Sequence, residues 1–545
     1  MANPAKEIRF QVIWSNLISI VEEQARTLMR TAFSPVVRDS GDLSAALFDR
    51  QGRMLAQAQT GTPGHVNSTA AAVPLMLEEI PIDQLEEGDH LITNDPWLGT
   101  GHMFDINVMR PVFHDGSIVA YVISITHLPD IGGLGFGAAA REIYHEGLRL
   151  PVCKLFEAGV QNDFIVELVR SNVRAPEQVI GDLMANVTAT TVGEGMLTGF
   201  LAEYGLADFA DLSGEIRGRS EAATRARISE MADGSYKNQI QIEGVDGALT
   251  LACRIDIDGD SMTVDFSGTA PSVRRGINVP FCYTRAMVLY SMKCLTVPEL
   301  PNNGGSVVPI TVTAPTGCLL DARPPSPTGA RHMIGPCVAP LVFGALAAAV
   351  PDSIQADCGM LDLMTFQGRH RDGHDVSTIY FASGGFGALA GLDGAETTPG
   401  PSNMAVVPVE VWETLTSTTV ERKELLPDSG GAGAWRGGLG QEVVIRNDSG
   451  HIMTVFCMAN RTEFPPLGLM GGANGRARQH RVNDVTVDPK GHYELAPGDR
   501  ITMIEAGGAG YGDPGERAPD AIKADLEEGF VTPEGAARDY DFSGG

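Results

Sequence analysis

Two strand-like runs, Ile106 to Phe113 and Ser117 to Thr126, meet at His114-Asp115-Gly116-Ser117. An Asp-Gly pair between β-rich runs is a strong local hairpin signal, because both middle positions of the tightest hairpin turn need positive φ. With Asp115 and Gly116 as those middle residues, Asp105 falls opposite Thr126 and Phe104 opposite His127. His102, Asp105 and His127 then converge at the open end of one hairpin. Two imidazoles and a carboxylate suit a hydrolytic divalent metal: they neutralise part of its charge and leave coordination positions open. A lone histidine is more often a hydrogen-bonded core or surface group, so this reading rests on the convergence.

The rest of the chain mixes helical and strand periods without a regular βα alternation, which predicts an α+β, multidomain protein. From Ile8 to Leu28 apolar residues recur at helical spacing, and Ala70 to Leu77 reads as a second helix. Ser44 to Asp49 and Met54 to Gln59 flank Arg50-Gln51-Gly52-Arg53 as a hairpin, and Leu91 to Asn94 is a further strand. Helical patterns return from Asp163 to Ala232. Gln239 to Glu243, Leu249 to Asp256 and Met262 to Phe266 then alternate with Asp-Gly turns as an antiparallel meander. At the end, Asp520 to Glu528, with Asp520 as N-cap, and Thr532-Pro533-Glu534 read as capped helical pieces. These patterns divide the chain into a metal-site domain over 1–234, a central α/β domain over 235–440, a glycine-rich β region over 441–515 and a helical tail over 516–545. No period of 20 to 50 residues repeats, which argues against a solenoid.

Composition removes whole classes of partner. Among 545 residues, 40 Lys plus Arg face 68 Asp plus Glu, a net charge of −28, and such a chain repels nucleic acid and anionic membranes. The eight cysteines include no C-x-x-C pair, so they read as buried thiols of a reducing compartment. The N-terminus shows no secretory signal. The apolar run from Cys337 to Val350, interrupted by Pro340, is shorter than the ~20 residues a bilayer needs. A cytoplasmic protein is expected.

Missing motifs constrain the chemistry further. There is no Gly-Lys dipeptide and hence no P-loop, no dinucleotide fingerprint, and no G-x-S-x-G elbow. If ATP is used, another chain binds it. The glycine clusters at 430–433, 437–440, 471–472 and 507–510 read as tight turns needing positive φ, with close approach of backbone to a ligand or partner as the alternative. His65, in Pro63-Gly64-His65, reads as an exposed loop residue or as a group facing the same cleft.

Taken together, the ordered segments resemble the hydantoinase B/oxoprolinase family over nearly the whole chain. They include 42–49, Asn94-Asp95-Pro96, Gly101-His102-Met103-Phe104-Asp105, 127–133, 146–151, Pro301-Asn302-Asn303-Gly304-Gly305, Pro408-Val409-Glu410, 436–440 and 510–514. The resemblance implies metal ligands at Asp42, His102, Asp105 and His127, with Asp39 the competitor for the first place, and it leaves Zn, Mn, Fe and Co equally open. It implies a hetero-oligomer in which a hydantoinase A-type partner chain, an actin-like ATPase, holds ATP and Mg. The activity it implies is opening of a cyclic amide such as a hydantoin, 5-oxoproline or a lactam, by water held at the metal attacking a phosphate-activated amide carbon. Asp130 or His65 is the expected proton acceptor. Ketone carboxylation of the acetone or acetophenone type, and a non-catalytic structural role, are the alternatives.

Overall fold

The computed structural model describes residues 4–543. In order, the elements are α1 (Pro4–Thr31), α2 (Pro35–Arg38), β1 (Leu43–Asp49), β2 (Met54–Gln57), α3 (Pro63–Glu79), β3 (His90–Thr93), β4 (Asp105–His114), β5 (Ser117–His127), β6 (Cys153–Glu157), β7 (Val160–Gln161), α4 (Asp163–Asn172), α5 (Pro176–Tyr204) and α6 (Ala210–Ile228). They continue with β8 (Gly234–Glu243), β9 (Ala248–Asp258), β10 (Ser261–Asp265), α7 (Phe281–Thr296), β11 (Ile310–Thr313), α8 (Val338–Leu346), β12 (Leu361–Arg369), β13 (Asp375–Ser383), α9 (Val409–Thr416), β14 (Thr418–Leu425) and β15 (Gln441–Asn447). Last come β16 (Met453–Cys457), β17 (Gln479–Val482), β18 (Val485–Thr486), β19 (His492–Leu495), β20 (Arg500–Ile504), α10 (Pro519–Glu527) and α11 (Pro533–Tyr540).

Four sheets result, with strand orders β2-β1-β5-β4-β3-β6-β7, β11-β10-β9-β8, β13-β12-β16-β19 and β14-β15-β20-β17-β18. Every pairing is antiparallel except β10 with β11, so the α+β reading holds. The strands of the first sheet are short on polar faces because both sides are covered: β1 is buried at all seven positions. On one face α1 and α5 pack through Leu17, Val21, Leu28, Ala189 and Leu197; on the other α3 packs through Ala72, Val73 and Met76 onto Phe48, Met109 and Ile123. Each large apolar side chain taken out of water contributes about 1.5–3 kcal/mol of gross stabilisation. No helix among the described residues is long and apolar enough to cross a membrane.

The turn between β4 and β5 forms as its sequence dictates, with Asp115 at φ 48° and Gly116 at φ 73°. The hairpin register, however, is not the simple extrapolation from that turn. His114 pairs with Ser117 and Phe113 with Ile118, but Val112 pairs with Ala120, so Val119 is an extra residue on β5. From this β-bulge onward every partner shifts by one, and Asp105 stands opposite His127, not Thr126. The slip matters because a one-residue change swaps the face each side chain occupies.

Two smaller expectations also change. Asp520 is not a cap: Ala518 occupies that position and Pro519 opens α10, whereas Thr532 does cap α11 by accepting from Gly535 N. Among the clustered glycines, only Gly471 has positive φ. The others are where backbones pass too close for a Cβ: one built at Gly437 would lie 2.0 Å from the Gly508 carbonyl oxygen, and one at Gly508 2.0 Å from that of Phe386.

Candidate metal centre

Three neighbouring strands line up the acidic and imidazole groups. Asp42 precedes β1, His127 ends β5, and Asp105 begins β4. The Asp42 carbonyl accepts from His127 N at 3.2 Å, and Asp105 pairs directly with His127. His102 sits on the turn leading into β4, one residue after Gly101. That glycine is at φ +93°, and a Cβ on it would lie 2.8 Å from Arg331 Cδ, so a larger residue would displace the arginine described below. His65 comes from the first turn of α3, behind Pro63.

The ligand-type atoms of His102, Asp105 and His127 lie within 4.8 Å of one another, and all three residues are buried. His102 Nε2 is 2.8 Å from Asp105 Oδ1, yet neither atom meets hydrogen-bond geometry with any partner among the described residues. His102 Nδ1 lies 3.1 Å from the Gly329 carbonyl oxygen, so that nitrogen carries the proton and donates, leaving Nε2 as the lone-pair atom. A metal-ligating imidazole is held in this way by its outer hydrogen bond. Both ring nitrogens of His127 are buried without a hydrogen-bond partner among the described residues, an uncommon and costly condition for a polar group. Its ring stacks on Phe104 at 5.5 Å between centroids and lies 5.1 Å from His102.

The second oxygen of Asp105 faces a different set. Oδ2 accepts from Arg331 Nη2 at 2.7 Å and lies 3.0 Å from His65 Nε2. His65 Nδ1 is 3.6 Å from Asp42 Oδ1. Arg331 is fixed by donating to the Thr100 carbonyl at 2.7 Å and by lying over the Tyr283 ring at 3.9 Å. The charge pattern follows from these contacts. Burial pushes the Asp105 carboxyl up, but His102, His65 and Arg331 together hold it well below its ordinary range. Burial, then Arg331, lowers His102, and burial, then His102, lowers His127 well below its usual value. Burial also disfavours charge on His65, but Asp105 and Asp42 outweigh it and raise the imidazole. Asp42 is pushed up to about 6 by burial, opposed by His65. Neutral His102 and His127 beside an ionised Asp105 are the protonation states a cation needs. The orphaned atoms of His127 and the unpaired His102 Nε2 and Asp105 Oδ1 therefore fit a bound divalent metal.

Asp42, His65, His102, His127, Arg331 and His332, with Thr62, Tyr283 and Ser402, form the polar side of one cavity of about 80 Å³, and Asp105 lies behind that lining. Phe136, Met360, Leu361, Leu363, Phe381 and Met404 form its apolar side. At ~10–15 Å³ per water position this is room for several waters. Asp42 lines this cavity; Asp39 pairs with Arg38 at 2.9 Å on the neighbouring turn. His65 is buried in the cleft, not exposed on a loop. Asp130 does not line the cavity: its carboxylate accepts from Gly132 N at 3.1 Å and from Arg174, through both the backbone N and Nη1.

Residues 328–332 supply contacts that sequence patterns do not reveal. Thr328 N and Gly329 N both donate to Glu146 Oε1 at 2.7 Å, which anchors the segment whose Gly329 carbonyl, Arg331 and His332 face the centre. Burial pushes the Glu146 carboxyl up to about 8. The available signal is Arg331-His332, two basic residues inside an otherwise uncharged run from Pro324 to Val350.

Comparison with known proteins places the chain in a family. The family model described as hydantoinase B/oxoprolinase matches residues 6–514. A B-type chain of a putative D-/L-hydantoinase from Pseudomonas sp. strain NS671 is 28% identical over 98% of this chain and 94% of its own length. The beta subunit of caprolactamase from Pseudomonas jessenii is 30% identical over 99% and 96%. The crystal structure of the ATP-dependent caprolactamase from that organism superposes at a TM-score of 0.91, 27% identity, covering 99% of this chain and 96% of that one. A nucleotide-free acetone carboxylase superposes at 0.88 over 98% of this chain and 79% of that one, but at 19% identity this likeness is one of fold alone.

Proposed function

The chain belongs to the hydantoinase B/oxoprolinase family, and we propose that it is the metal-bearing subunit of an ATP-dependent amidohydrolase that opens a cyclic amide, with ATP and Mg handled by a hydantoinase A-type partner chain. The observation that carries the reading is the convergence of His102, Asp105 and His127, with both His127 ring nitrogens lacking any other partner among the described residues. His102, Asp105 and His127 would hold the cation, with Asp42 closing the set from the neighbouring strand. A divalent metal there supplies a Lewis acid that lowers the pKa of water towards neutrality.

The chain's own groups account for the remaining requirements. Arg331 and His65 bind Asp105 Oδ2, which orients Oδ1 towards His102 and restrains the carboxylate from rotating. His65, between Asp105 and Asp42, is the group placed to exchange a proton with the cavity. We assign that role to it over Asp130, whose carboxylate is occupied by Arg174. Phe104 and Phe136 exclude water from behind the imidazoles, which strengthens electrostatic contacts in the site. The subunit designations of the relatives support a partner chain, and the lack of a phosphate-binding loop in this sequence favours nucleotide chemistry on that partner.

The test is reconstitution of the purified chain with its ATPase partner, ATP and metal against hydantoins, 5-oxoproline and five- to seven-membered lactams, with a parallel series of ketones and bicarbonate. Ring opening coupled to ATP hydrolysis, absent from either chain alone, is expected. Carboxylation of a ketone with no ring opening would overturn the amide reading in favour of the carboxylase one, and activity unchanged after metal removal would overturn the metal role.

A further inference from the structure

His332 has no role in the arrangement above, yet it lines the same cavity. Both of its ring nitrogens are buried and make no hydrogen bond among the described residues. It is not one of the groups gathered within 4.8 Å at the metal centre. Phe136 stands between: its ring centroid is 5.2 Å from His332, 5.9 Å from His102 and 5.0 Å from His127. The ring is held at a fixed offset from the centre because its neighbours are fixed to it, Arg331 through Asp105 and Thr100, and Gly329 through His102.

A buried polar side chain without a partner that opens into a cavity is short of a partner from that cavity. Phe136 beside it, and Met360, Leu363, Phe381 and Met404 elsewhere on the wall, carry no hydrogen-bonding group stronger than a thioether; the hydroxyls of Thr62, Tyr283 and Ser402 complete the polar lining, and none of them bonds His332. Burial, then Arg331 and His102, lowers the imidazole to about 3, so it is neutral across the physiological range and presents one N–H donor and one lone pair. A secondary cyclic amide can meet either one, through its carbonyl acceptor or its N–H donor, and its methylene ring matches the apolar wall.

We propose that His332 is the substrate-orienting residue of this cavity, hydrogen-bonding the amide group of a neutral, largely apolar cyclic amide and fixing its carbonyl towards the metal centre. The inference rests on the amidohydrolase reading and deepens it. It also favours lactams without a carboxylate, because the arginine in the cavity, Arg331, is committed to Asp105.

The experiment uses the reconstituted two-chain enzyme carrying His332→Phe, which keeps the contact with Phe136 but removes the hydrogen bonds, and His332→Asn, which retains a donor and an acceptor. Metal content, thermal midpoint, kcat and KM for a six- or seven-membered lactam are measured for each. The expected outcome for His332→Phe is a rise in KM of about tenfold, the order expected for losing one hydrogen bond to the substrate, with metal content and thermal midpoint unchanged. His332→Asn should recover part of the loss. KM and kcat within twofold of wild type in both variants would overturn the assignment, as would loss of metal along with activity, which would make His332 a ligand. A wild-type enzyme that opens no lactam or other cyclic amide defeats the amidohydrolase reading itself, a result distinct from failure of the variants.

Discussion

Two buried clusters in this molecule have nearly the same composition. One is His102, Asp105 and His127 with Arg331; the other is Asp362, His480 and Glu505 with Arg478, and each brings three potential ligands within 4.8 Å. Strand β12 stands between the second cluster and the cavity: Leu361 and Leu363 line it, while Asp362 between them points to the opposite face. The second cluster pairs several of its atoms internally, although Asp362 Oδ1, His480 Nδ1 and Glu505 Oε1 are buried without a hydrogen-bond partner among the described residues. His480 Nε2 lies 2.6 Å from Asp362 Oδ2, and Arg478 Nε donates to Glu505 Oε2 at 2.7 Å. Arg478 directs its remaining donors to the carbonyls of Gly359, Met360 and Asn460. Burial pushes Glu505 up to about 8, with the Asp362 charge adding to the rise and Arg478 opposing it. Glu505 therefore carries no charge at neutral pH, which leaves Asp362 as the ionised carboxyl beside Arg478. In the first cluster the His127 ring nitrogens have no partner among the described residues, and the cluster opens on a cavity. Both clusters hold buried polar atoms without a partner among the described residues, so neither ligand identity nor orphaned atoms separate a metal centre from a structural network; access to the cavity does.

The most severe test of that distinction is to remove ligands from each. Asp105→Ala, His102→Ala or His127→Ala should each reduce metal affinity by more than the ~10–100-fold that outer contacts are worth, with activity of the assembled enzyme lost in proportion. Asp39→Ala and His114→Ala should leave metal content alone. Elemental analysis decides it, and metal retained in all three variants would place the ion elsewhere. In the closed cluster the effect falls on stability. Asp362→Ala strands Arg478 and His480, and breaking a buried charge network in this way costs about 3–5 kcal/mol. Urea unfolding should show that loss while the folded fraction keeps its metal. Metal loss from folded Asp362→Ala would mean that the two clusters are not separate.

A third, smaller effect tests the outer contacts. Arg331→Met removes the hydrogen bond to Asp105 Oδ2 and leaves the ligand atoms in place, so metal affinity should fall by roughly 10–100-fold, less than for any ligand removal. An equal or greater loss than Asp105→Ala would make the arginine part of the folding core and not a tuning contact.

What the sequence makes legible follows the range of each interaction. The hairpin, its Asp-Gly turn and the helix over 8–28 depend on neighbours within a few positions, and they form as their patterns predict. The bulge at Val119 is not legible, because Ser117 to Thr126 carries the same β-rich composition with or without an extra residue. Yet that bulge sets Asp105 opposite His127. Asp42 becomes visible only through family resemblance, since nothing local separates it from Asp39; the fold separates them by lining the cavity with one and pairing the other to Arg38. The 328–332 segment escapes a sequence reading because its contacts to Asp105 and His102 span more than 220 positions. The glycine clusters mislead because a sequence shows that a Cβ is missing but not whether positive φ or a neighbouring backbone excludes it.

The last expected effect separates the clusters by the sign of their pH response. Glu505 sits at about 8 in the folded chain against 4.5 for its ordinary value. Between those values the folded state holds a proton that the unfolded chain releases, so the unfolded state binds fewer protons and this contribution to stability falls as pH rises through the window. Glu505→Gln keeps the size of the side chain but cannot titrate. Metal-free wild type and variant should therefore have similar urea midpoints near the acidic end of the window, and the variant should gain on wild type towards pH 8. The metal centre responds oppositely, because acid protonates His102 and His127 and expels the ion, so the stabilisation that bound metal confers is lost as pH falls. Urea midpoints of both proteins at the two ends of the window, with chelator and with saturating metal, read the two slopes separately. If Glu505→Gln and wild type keep a constant difference across the window in chelator, Glu505 is not the protonated member of the closed cluster, and the charge balance that sets it apart from the metal centre is wrong.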